Sequence, residues 1–215
     1  MTETGGDSKT DRLLRGGIAF YLLCIILAMS PYTLDATGDI KTLITHWAAA
    51  ILGCAWAFGY WIEGRRLHAP HLLFVPMVLY LALHVLSALA SPYAGHSLPA
   101  IGLLASYVLL YAIAAHAFPS AKSLTSLLLA LIFAVAFSSA YAVAQRLGYD
   151  TFPWADTTQD TYRNLPGTFG NPNVAGHTMI LAILAAAYLS ANRRLRWCAV
   201  FALVFVFHLY CTGHR

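Results

Sequence analysis

Read for its alternation of apolar and polar positions, the chain resolves into seven long apolar segments, roughly 16–34, 43–62, 72–90, 99–118, 124–145, 174–191 and 197–212. Short polar, Pro- or Gly-bearing breaks separate them. Each approaches or reaches the roughly 20 residues that a helix needs to cross a bilayer, and the last is the shortest. The segments are continuously apolar, without the strict alternation that a lipid-facing strand shows, so the pattern predicts helices rather than a barrel. The predicted fold class is all-α, a polytopic transmembrane helix bundle forming one domain over residues 1–215.

Composition sharpens this reading. Apolar residues make up 59% of the 215 positions, charged residues only 10%, and the mean hydropathy is +0.64; a water-soluble domain of this size could not hide so much apolar surface in one core. The net charge of +4 does not point to nucleic acid, because the basic residues sit in short clusters between spans and follow a topology rule instead. Lys9, Arg12, Arg15, Arg65, Arg66, Lys122, Arg193, Arg194 and Arg196 fall on the side of the N-terminus, whereas Lys41, Arg146, Arg163 and Arg215 fall on the other. That asymmetry predicts a cytoplasmic tail over residues 1–15, with no signal-peptide cleavage site after Ala28. It places the 146–173 connection on the outer face, along the membrane–water boundary. Cys24, Cys54, Cys198 and Cys211 make no Cys-x-x-Cys or metal-ligand spacing and read as small buried side chains.

The connection at 146–173 is long for a helical bundle, and long loops are usually functional. Its C-terminal end, with the start of the next span, reads Arg163-Asn164-Leu165-Pro166-Gly167-Thr168-Phe169-Gly170-Asn171-Pro172-Asn173-Val174-Ala175-Gly176-His177. Asn171 suits an N-cap, and Pro172 suits the first turn, where its missing N–H costs nothing. The helix that follows would turn its positive end outward, the geometry that binds phosphate groups. Gly167 and Gly170 permit left-handed backbone or a close approach to a ligand. Arg163 on this loop, and His214 with Arg215 at the outward end of the last segment, would bring two guanidiniums to that helix mouth. The planar fork of an arginine matches a diphosphate. Asn173 and His177, four apart, share a helical face, and His177 would line the same cavity if that face points into the bundle.

Plainer readings stand beside these. Arg163 and Arg215 read equally as interfacial snorkellers, Asn171-Pro172-Asn173 as a cap alone, and His177 as an interhelical hydrogen-bonding residue. Asp156 and Asp160 share a spacing suited to acid, base or metal-ligand roles, yet carboxylates on a hydrated loop are more often plain solvation, and no Asp-x-Asp pair is present. His46, His84, His116 and His208 are isolated on apolar segments and read as structural.

Arg163 followed by Gly167-Thr168-Phe169-Gly170-Asn171-Pro172-Asn173 and an apolar helix resembles the signature of the O-antigen ligase and O-antigen polymerase family. Thr212-Gly213-His214-Arg215 is similar to the start of that family's next motif, Thr-x-Ser-Arg-Gly, with His214 where serine is commoner. The resemblance implies a GT-C-like membrane glycosyltransferase in a bacterial inner membrane, working on the periplasmic face without a metal or other cofactor. Its implied partners are an undecaprenyl-diphosphate-linked glycan as donor, an acceptor hydroxyl on lipid A–core, growing polysaccharide or protein, and the surrounding membrane lipids. By position, Arg215 would be catalytic, stabilising the charge on the departing diphosphate, while Arg163, Asn171, Asn173, His177 and His214 would bind substrate. The family's general base, a His in a large outer loop, has no counterpart before Arg215.

Two other classes fit the same outward arginines: a transporter or flippase for a lipid-linked anion, which would want polar or broken helices at mid-membrane, and a non-catalytic membrane fragment. The chain reads as truncated after residue 215. That expectation predicts that the reading frame beyond Arg215 encodes further spans and an outer loop holding a His; an immediate stop codon in the native gene overturns it.

Overall fold

In a computed structural model of the protein, residues 8–30, 32, 35, 37–65, 73–149 and 167–212 are described. The described residues form seven α-helices and no strand: α1 Lys9–Leu27, α2 Gly38–Ile62, α3 Phe74–Leu89, α4 Ala94–Ala117, α5 Ala121–Arg146, α6 Pro172–Ser190 and α7 Cys198–Cys211. Two single 3₁₀ turns, Gly167–Phe169 and Arg193–Leu195, precede α6 and α7 respectively. The all-α class is therefore as expected, and each apolar segment carries one helix.

Four of the helices, α2, α4, α5 and α6, are long and apolar enough to cross a membrane. The other three depart from the expectation for identifiable reasons. α3 and α7 have 16 and 14 residues, so at ~1.5 Å per residue they fall short of a hydrocarbon core ~30 Å thick. α1 begins within the charged tail at Lys9 and ends at Leu27, seven residues before the predicted end of its segment. Ser30-Pro31 lies just beyond that end, and the residue before a proline is disfavoured in helical conformation. Part of the predicted tail is thus helix.

The chain divides into two compact units, Met1–Tyr21 with Thr42–Ser123, and Leu22–Lys41 with Leu124–Arg215. In the first, α1 approaches α2 where Gly17 lies under Leu52 and Tyr21 shares a hydrogen bond with Thr45, the hydroxyls 3.2 Å apart. At the start of α1, the Arg65 guanidinium reaches both Asp11 carboxylate oxygens at 2.9 Å and stacks 4.1 Å from the Tyr60 ring centroid. The Thr10 hydroxyl donates to Glu63 at 2.7 Å, and that bond holds the Glu63 carboxyl below the usual carboxylate range. α2 meets α4 through His46 Nδ1 and the Ser106 hydroxyl, 2.9 Å apart, and through the Trp56 and His116 rings. His84 and His116 bond the carbonyls of Tyr80 and Ala112 one turn back through Nδ1.

The second unit contains the larger core. Ile26, Ile132, Val135, Phe169, Met179, Leu189 and Phe205 are buried together, with Ala175, Ala182, Ala185 and Ala186 on the packed face of α6. Small side chains there let α6 lie close against α7, the arrangement favoured when helices must associate without a hydrophobic effect to drive them. Among the cysteines the burial expectation holds for Cys198; Cys24 and Cys211 are half-buried and Cys54 is exposed on α2. Phe205 is the largest fully buried side chain. Phe205→Ala should destabilise the protein by about 3 kcal/mol through the cavity it leaves, read as a lowered thermal midpoint in detergent; an unchanged midpoint would show that this core is not packed as described.

Candidate functional site

Between α5 and α6 the backbone does something costly. Gly167, Thr168 and Phe169 form a 3₁₀ turn that is buried among apolar helices of the second unit. Non-helical backbone in such surroundings is tolerated only when its polar groups find partners within the protein, and the turn finds them on three helices.

On α5, the Gln145 side-chain oxygen accepts from the Gly167 N–H at 3.1 Å, and the Ser138 hydroxyl accepts from the Thr168 N–H at 3.1 Å. Ser138 and Gln145 are seven residues apart, two helical turns, and so present one stripe of polar atoms along an otherwise apolar helix. On α1, the Ile26 carbonyl accepts from the Thr168 hydroxyl at 2.6 Å, and that hydroxyl lies 2.8 Å from Ser138 Oγ. From the first turn of α2, the Lys41 ammonium donates to the Thr168 carbonyl at 3.0 Å and lies 5.1 Å from the Phe169 ring centroid, a cation–π contact.

The glycines flanking the turn are there for space as well as conformation. Gly167 has φ +59°, and a Cβ on it would fall 2.8 Å from the Ser138 carbonyl oxygen, a backbone atom that cannot swing aside. Gly170 has φ +67°, and a Cβ there would meet the Thr37 side chain at 2.7 Å. Both positions lie in the left-handed region that side chains disfavour.

Two helix starts flank this turn. α6 opens as its sequence predicts: Asn171 is extended, its side-chain oxygen accepts from the Asn173 N–H at 2.8 Å, and Pro172 takes the first turn. α2 opens beneath Asp35, whose Oδ1 accepts from the Gly38 N–H at 2.8 Å and the Thr37 N–H at 3.0 Å. Those amides, with the Thr37 hydroxyl and the charge of Lys41, hold the Asp35 carboxyl below the usual carboxylate range. A carboxyl lowered on folding adds stability at neutral pH that disappears as the pH falls through its folded value.

The predicted site residues are distributed as follows. Asn171 and Asn173 stand at the exposed mouth of α6, and the Asn171 side chain is engaged as the cap. His177 is exposed, off the face of α6 that buries Ala175, Met179, Ala182 and Ala186. Arg163, His214 and Arg215 lie outside the described residues, as do Asp156 and Asp160. Among the described residues, no three His, Cys, Asp or Glu side chains converge as metal ligands would.

Three residues of the cluster escape a reading of the sequence: Lys41, Ser138 and Gln145. Their signal is faint but real, a pair of polar side chains two turns apart in an apolar helix and a lone lysine one turn into another. No protein-family model, curated protein or solved structure matches the chain.

Gly167→Ala should cost about 1–3 kcal/mol from the left-handed backbone alone, with the Ser138 carbonyl clash added. Thr168→Val should cost about 1–3 kcal/mol by leaving buried groups unbonded. Thermal midpoints of the purified protein check both. A Gly167→Ala protein as stable as the parent would mean that the turn is not held as described.

Proposed function

We propose that this protein is a membrane glycosyltransferase of the O-antigen ligase and polymerase type, moving a glycan from an undecaprenyl-diphosphate carrier to an acceptor hydroxyl. The observation that carries the proposal is the Gly-Thr-Phe-Gly-Asn-Pro-Asn stretch, which is not a slack loop: a buried, fully glycine-flanked turn fixes the backbone leading into a capped helix N-terminus. Departure of a diphosphate needs positive charge and dipoles set in place beforehand, since groups that need not reorganise during reaction stabilise developing charge best.

In this reading the acceptor oxygen attacks the anomeric carbon of the donor sugar. The bond from that carbon to the diphosphate oxygen breaks, and the diphosphate leaves with the electron pair. Arg215, with Arg163, neutralises it as charge builds. The positive end of α6 would support the same role, with Asn171 holding the helix start and Asn173, His177 and His214 taken as binding substrate. The acceptor proton goes to a base, a role that the resemblance gives to a histidine of an outer loop. The asymmetry of the basic residues along the sequence supports a site on the periplasmic face of the inner membrane.

Arg215→Ala in the full-length protein should reduce glycan transfer by at least about 100-fold, the order seen when a charge-stabilising donor is removed from an active site, with membrane insertion intact. Arg163→Ala should show a smaller loss in the same assay. Transfer at the parental rate in Arg215→Ala would dispose of the reading.

A further inference from the structure

Consecutive residues on a helix diverge by about 100°, so a pair of neighbouring serines addresses two different neighbours. Ser138 and Ser139 of α5 are such a pair, and both are buried. Ser138 holds the Gly167–Phe169 turn through the Thr168 N–H at 3.1 Å and the Thr168 hydroxyl at 2.8 Å. The Ser139 hydroxyl lies 2.8 Å from His208 Nδ1 on α7 and donates toward the Met179 sulfur of α6 at 3.8 Å. His208 is itself buried, one turn before Thr212, where the second motif begins.

We propose that Ser138 and Ser139 are positioning residues, one clamp with two jaws that holds the Gly167–Phe169 turn and helix α7 in a fixed register. Each jaw grips a segment that leads into one of the two motifs: the turn leads into Asn171 and α6, and α7 leads to its cap at Thr212. The two segments lie about forty residues apart in sequence, yet two adjacent residues of one rigid helix hold both. A rotation of α5 that follows loosening at Ser138 therefore moves Ser139 against His208 as well. Isolated interhelical glue would also use a buried serine and histidine, but glue predicts that each bond acts only locally. A clamp predicts that loosening one jaw is felt at the other.

Cys211, half-buried near the end of α7 and one turn beyond His208, reports this without any ligand. In the full-length protein with Cys211 as its single cysteine, Ser139→Ala should change the rate of maleimide labelling at least about fivefold, and Ser139→Thr, which keeps the hydroxyl, should restore it. Ser138→Ala, which removes no contact to α7, should change the same rate by at least about threefold. An unaltered rate in Ser138→Ala would overturn the clamp. If Ser139→Ala fails to fold, His208→Asn tests the same jaw, and its labelling rate should shift as Ser139→Ala would.

The clamp's bearing on substrate rests on the proposed function and is tested separately, with undecaprenyl diphosphate as probe and the protein in nanodiscs. Either serine-to-alanine change should weaken binding about tenfold, and unchanged binding would end the positioning role toward the anion. Arg215→Ala binding the probe as the parent does would overturn the proposed function, while the labelling result would still decide the clamp.

Discussion

The governing constraint on the second unit is that peptide groups buried among apolar helices must be hydrogen-bonded. A helix satisfies its own backbone and can be buried anywhere; a 3₁₀ turn cannot. Placing Gly167–Phe169 in the core therefore commits residues on other helices: Gln145 and Ser138 for its N–H groups, Lys41 for a carbonyl, Ile26 for the Thr168 hydroxyl. Those commitments explain polar residues in segments otherwise chosen for apolarity. They also explain why two glycines with left-handed backbone bracket the turn, since neither position has room for a Cβ.

Once the turn is fixed, the geometry of α6 follows from it. The chain leaves Gly170, reaches its cap at Asn171 and starts a helix whose alanine-rich face lies on the core while Asn173 and His177 stay exposed. The same turn takes the Lys41 side chain from the beginning of α2, so a cation sits against the backbone that precedes the helix mouth. A bundle of ordinary helical hairpins would need none of this. Dedicated polar side chains hold three residues of non-helical backbone in one conformation, so this connection is fixed where a slack loop would serve to join two helices.

The first unit offers a contrast. Its polar contacts tie helices end to end or side to side, as in Asp11 with Arg65 and His46 with Ser106, and no described turn is buried there. Fixing helices against each other stabilises a scaffold. Fixing a turn against three helices also specifies the direction in which the next element leaves.

The sequence by itself determined the helical class, the presence of one helix in each apolar segment among the described residues and the cap at Asn171, because those depend on local hydropathy and on backbone chemistry within a few residues. It placed the end of α1 seven residues too late, since an apolar count does not register the restriction before Pro31. It left open whether the face shared by Asn173 and His177 points into the bundle, because periodicity shows which residues share a face and not which face is buried. Lys41, Ser138, Ser139 and Gln145 took their meaning only from tertiary structure. Each is an unremarkable polar residue in its own helix, and the groups it serves lie from 22 residues away, for Gln145 with Gly167, to 127, for Lys41 with Thr168. Hydrogen bonds over such separations are set by how the helices pack, which no local pattern encodes.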